Sequence, residues 1–148
     1  MRDQIGIGLM VWLVAAAPIG AAEHGGKEHA GQEHAGQIAQ PEPEAGDIRQ
    51  AIRAHITDVE REQGAFSLSD EKTGKLRTLT FVRVHERVGK TGKYYYACTD
   101  MRDAETAELL DLDFDVDYHG GALRIVNVRI HKVGGKARYT YDDKDNIV

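Results

Sequence analysis

One run of the chain leaves little choice of fold. From Leu110 to Tyr118, the side chains of Leu110, Leu112, Phe114, Val116 and Tyr118 alternate strictly with Asp111, Asp113, Asp115 and Asp117. A period of two sends alternate residues to opposite faces of a strand, so one face is apolar and the other carries four carboxylates. Such a strand belongs to an antiparallel sheet with one covered face and one face turned to water. Lys93–Arg102 reads as the strand before it, joined through the turn Asp103–Ala107, and the apolar side of this hairpin requires a helix or a second sheet.

The cover lies upstream. Ile48, Ile52, Ile56 and Val59 recur at helical spacing, with Asp47 and Gln50 as a capping box and Gly64 as the stop. This predicts a helix over 47–63. Beyond it the periodicity is that of strands: Ala65–Glu71, Leu76–Val88, Tyr94–Arg102, the acidic strand, Ala122–Val133 and Lys136–Tyr141, separated by short turns of which all but Asp103–Ala107 contain glycine. The expected fold is α+β, one helix packed on a curled antiparallel meander of five to six strands. Val82 and Val84 are expected on one face of their strand, against Arg83, His85 and Arg87. Val126, Val128 and Ile130 are likewise expected opposite Asn127, Arg129 and His131. The four aspartates are expected to form a solvated face paired with Arg129 and His131. A calcium seat among them is disfavoured, since alternate strand residues lie about 7 Å apart.

The chain begins differently. Met1–Ala22 holds an uncharged apolar run, Ile5–Pro18, followed by Gly20, Ala21 and Ala22, the pattern of a secretory signal cut after Ala22 or, less favoured, after Ala21, with an uncleaved membrane anchor as the second reading. This places the mature protein in the periplasm or outside the cell, with no membrane span once the signal is removed. Residues 23–46 then form a tether without large apolar groups except Ile38, expected to be disordered. The expected division is 1–22 signal, 23–46 leader and 47–148 single domain. Glu23-His24, Glu28-His29 and Glu33-His34 head three copies of a five-residue repeat, Glu-His-(Gly/Ala)-Gly-(Lys/Gln). Imidazole is the common ligand of zinc, nickel and copper, so His24, His29 and His34 are the candidate metal ligands, with a copper, nickel or zinc ion as the implied cofactor. The alternative is a spacer serving a protein partner. Cutting after Ala21 would place His24 third, where amine, amides and imidazole make a square suited to Cu(II) or Ni(II).

The net charge of −5 is unchanged when Arg2 and Asp3 are removed with the signal, and a mildly acidic chain lacks the basic surface that nucleic acid requires. Cys98 is the sole cysteine, so an internal disulfide is excluded, and its place within a strand predicts burial as a small hydrophobe. His55 falls within the helical stripe, the first residue to inspect for a pocket between helix and sheet. His85, His119 and His131 show no ligand spacing, and no catalytic motif is present, so a small enzyme ranks behind a binding module.

The order of helix and meander resembles the cystatin-like and NTF2-like architecture, and less closely the small exported domains of the PepSY type. The repeats from Glu23, together with Tyr94–Asp103 and Leu109–Val116, resemble a group of uncharacterised bacterial exported proteins. That resemblance implies export and a small α+β domain, and no activity.

Overall fold

The computed structural model describes residues 41–148. The expected signal, its cleavage point and His24, His29 and His34 lie outside the described residues. Among the described residues there is one helix, α1 (Ala45–Gln63), followed by six strands: β1 (Phe66–Asp70), β2 (Lys75–Thr91), β3 (Tyr94–Asp103), β4 (Leu109–His119), β5 (Ala122–Val133) and β6 (Lys136–Ala137). Each strand pairs antiparallel with the next in one open sheet. No described helix is long and apolar enough to cross a membrane.

The helix starts two residues before the expected Asp47. Glu44 is the N-cap, and the Asp47 carboxylate accepts its backbone N–H at 3.0 Å. The stop is as expected: Gly64 takes a left-handed conformation, φ 82°, which glycine adopts without a Cβ penalty. Ile48, Ile52 and Ile56 are at most 2 % exposed and pack on Leu110, Leu112, Phe114 and Val116, each fully buried. The apolar face of the acidic strand is therefore the face that α1 covers.

Four irregularities depart from simple alternation, three of them single extra residues and the fourth a longer one between Val84 and Val88 of β2. Val82 is an extra residue between Phe81 and Arg83, and Val126 one between Ile125 and Asn127. A bulged residue leaves the alternation of its strand, so both valines, expected on the apolar faces of their strands, are exposed and Leu79, Phe81, Leu123 and Ile125 take the inward positions. In β5 the extra residue between Ile130 and Lys132 is His131. Gly89, expected in a turn, lies inside β2, where a Cβ would stand 2.3 Å from the Tyr96 ring.

The sheet curves strongly. Six strands spaced about 4.8 Å apart would span roughly 24 Å if flat. Yet Arg138, just after β6, grips Asp70 of β1 through two hydrogen bonds of 2.8 Å. The same carboxylate accepts Arg77 Nε at 2.9 Å, and Arg77 continues to Asp103 at 2.9 Å. This buried chain of charges clasps the two ends of the meander.

Candidate metal centre

Three of the four aspartates expected in solvent are buried, and Asp117 is half-buried. Asp111, Asp113 and Asp115 are 7 %, 0 % and 5 % exposed. What covers them is the chain after β6, expected as a sixth strand as far as Tyr141. Strand pairing instead ends at Ala137, and residues 140–148 form a small hairpin closed by Thr140 and Val148, which bond each other's backbone at 2.9 and 3.1 Å. This hairpin folds over β3 and β4. The Tyr141 ring stacks on Tyr96 at 4.5 Å and the Tyr139 ring on His131 at 4.8 Å. Asp145 pins the far end, accepting Tyr96 Oη at 2.9 Å and Arg87 Nη2 at 2.5 Å. Arg129 meets Asp115, the expected cross-strand pair.

Beneath the hairpin four donors converge. Cys98 lies opposite Asp113 in the β3–β4 register, and its Sγ donates to Asp113 Oδ1 at 2.7 Å. Tyr139 and Tyr141 each donate a hydroxyl to Asp113 Oδ2 at 2.6 Å. The bulge turns His131 to the same side, with Nδ1 at 3.7 Å from Asp111 Oδ2 and 3.8 Å from both Asp113 Oδ2 and Cys98 Sγ. One ligand atom from each of Cys98, Asp111, Asp113 and His131 lies within 4.8 Å of all the others. Spacing along the strand alone argued against such a seat. Donors arriving from β3 and from a β5 bulge complete it.

His131 is oriented for ligation. Its Nε2 lies 3.1 Å from the Tyr139 carbonyl, which only accepts, so Nε2 carries the hydrogen. In the neutral ring this leaves the Nδ1 lone pair facing Cys98, Asp111 and Asp113, the tautomer-fixing arrangement typical of metal-bound histidine. Asp111 Oδ1 is buried with no hydrogen-bond partner among the described residues, while Lys132 Nζ stands 3.4 Å from Oδ2.

Cys98 is half-buried, and its thiol faces carboxylates instead of the apolar core expected for it. Burial first, and the Asp113 carboxylate second, push its pKa well up. The same two causes push up the hydroxyls of Tyr139 and Tyr141. A thiol so held is a poor nucleophile at neutral pH, which disfavours a cysteine enzyme using His131 as base. An ion that displaces the proton would nevertheless find a thiolate there.

The other histidines fall elsewhere. His85 Nε2 meets Asp100 Oδ1 at 2.9 Å, and His119, expected in a turn, is the exposed last residue of β4. His55 is half-buried, edge-on to Phe66 and Phe114 at 6.4 and 6.3 Å between ring centres, and burial lowers its pKa. A cleft of about 370 Å³ does open between helix and sheet, lined by Ile48, Val88 and Tyr95, but His55 is not in its wall. No family model, curated protein or solved structure matches the chain.

Proposed function

We propose that this chain is an exported binding module whose ligand is a divalent transition-metal ion seated at Cys98, Asp111, Asp113 and His131. One observation carries the reading: sulfur, nitrogen and oxygen donors converge in a covered site, with the histidine hydrogen tied to a carbonyl and its lone pair turned inward. A tetrahedral ion with bonds near 2.0–2.3 Å separates its ligand atoms by about 3.3–3.6 Å. The distances from His131 Nδ1 to its three neighbours, 3.7–3.8 Å, require closure of only a few tenths of an ångström. Charge supports the same reading. Two carboxylates and a thiolate balance a dication together with Lys132.

The mixed donor set favours zinc. The leader His24, His29 and His34 would serve as a weaker, auxiliary site, better suited to copper or nickel if the signal is cut after Ala21. Export to the periplasm or beyond rests on the signal-like Met1–Ala22 and on the resemblance to exported proteins. The helix preceding a curved meander supports a cystatin-like reading of the domain.

Calorimetric titration of the full chain with zinc tests the proposal. Binding is expected to survive joint replacement of His24, His29 and His34 by Gln, and to be lost in His131→Gln and Cys98→Ser variants whose circular dichroism is unchanged. Binding lost with the leader histidines but retained in both sheet variants would overturn it.

A further inference from the structure

The unpartnered oxygen of Asp111 points to more than one ion. Asp111 is 7 % exposed, and its Oδ1 has no hydrogen-bond partner among the described residues. A buried carboxylate oxygen without a donor carries an uncompensated desolvation cost. Its Oδ2 already faces His131 and Lys132.

Asp111 stands opposite Asp100 in the β3–β4 register. Asp100 in turn meets His85, and one ligand atom from each of His85, Asp100 and Asp111 lies within 4.8 Å of the other two. His85 reaches this position because β2 carries extra residues between Val84 and Val88, opposite the stretch Thr99 to Ala97. Bulges commonly re-aim side chains beside functional sites.

We propose that Asp111 bridges two divalent transition ions, the first in the Cys98–Asp113–His131 seat and the second held by His85, Asp100 and the other Asp111 oxygen. This rests on the reading of the first seat given above. His85 Nε2 and Asp100 Oδ1 are 2.9 Å apart. A tetrahedral ion between nitrogen and oxygen ligands needs about 3.3 Å, so the pair must part by a few tenths of an ångström. For the ion to bind, His85 exchanges the hydrogen on Nε2 for one on Nδ1 through solvent, a change of tautomer that frees the Nε2 lone pair with no net proton released. Arg83 stays in place, since it holds the other Asp100 oxygen, Oδ2, at 2.7 Å and fixes the carboxylate as an outer partner. The His85 side chain is 31 % exposed, so the second seat faces solvent while the first lies under the hairpin. Three protein donors leave its fourth position to water or an exchanging ligand.

The test is a zinc count by equilibrium dialysis and elemental analysis, on the full chain with His24, His29 and His34 replaced by Gln so that the leader does not contribute. Two ions per chain are expected. His85→Gln and Asp100→Asn should each leave one, lowering affinity for the second by at least about 10-fold. Asp111→Asn should weaken both. A single ion in the parent, unaffected by His85→Gln, overturns the bridge and leaves the first seat standing. Two ions in the parent with one retained at full affinity in Asp111→Asn also overturns it. No ion in the parent refutes the underlying reading itself.

Discussion

Replacing Asp70 by Asn keeps the side chain's shape and removes the charge that holds the two ends of the meander together. The Asp70 carboxylate is fully buried and accepts two Arg138 hydrogen bonds of 2.8 Å, one from Arg77 Nε at 2.9 Å, and the backbone N–H groups of Lys72 and Thr73 at 3.1 and 3.3 Å. Asparagine retains one acceptor oxygen and turns an N–H donor toward guanidinium donors. Breaking a buried pair from one side costs about 3–5 kcal/mol, against a total of roughly 5–15 kcal/mol for a domain of this size. Urea unfolding followed by circular dichroism should show that loss. Arg61→Gln, at an exposed pair with Asp58, should change stability by less than about 0.5 kcal/mol. The pH dependence has a definite sign. Hydrogen bonds from Arg138, against burial, depress the Asp70 pKa, so its stabilisation is full above the unfolded value and lost as pH falls toward the folded one. The difference between parent and variant should be flat above about pH 5 and narrow below about pH 4. A loss under about 1 kcal/mol, or a difference that widens in acid, would refute the clasp.

The remaining predictions concern the covered face. Gly89→Ala places a methyl 2.3 Å from the Tyr96 ring, displacing the platform on which Tyr141 stacks. It should cost about 1–3 kcal/mol and alter the near-ultraviolet dichroism, whereas unchanged stability and spectrum would mean that the hairpin does not rest there. Cys98 should alkylate much more slowly than a free thiol at neutral pH, because burial and Asp113 keep it protonated. Labelling at the rate of an unhindered thiol would contradict that environment. Zinc affinity should rise with pH, since binding displaces the Cys98 proton, and a flat profile would exclude the thiolate as ligand.

Much of the fold is legible in residue periodicity. The isoleucine stripe of α1 and the alternation from Leu110 to Tyr118 each identify a face, and the glycine-containing turns give the strand order. Periodicity does not say what lies above a face. The aspartates were expected in water because nothing in Asp111–Asp117 announces that Tyr139 and Tyr141 will return over them. The signal is there in weak form, as two tyrosines two residues apart at the end of a strand pattern that then loses its alternation. Bulges escape the same reading: a single extra residue expels Val82 or Val126 and re-aims His131, and only the strand pairing reveals it. Of the candidate centre, sequence alone supplied the four residues separately and the link between His131 and the acidic row. Cys98 enters through cross-strand register, which no spacing along the chain encodes.

Cobalt(II) absorption tests the central claim most directly, because it reports ligand type and geometry together. With His24, His29 and His34 replaced by Gln, the full chain should give a near-ultraviolet thiolate-to-cobalt charge-transfer band and the intense visible bands of a four-coordinate ion. Cys98→Ser should abolish the charge-transfer band while leaving the fold intact. A weak six-coordinate spectrum without that band, or a band that survives Cys98→Ser, would contradict a metal centre at Cys98, Asp111, Asp113 and His131.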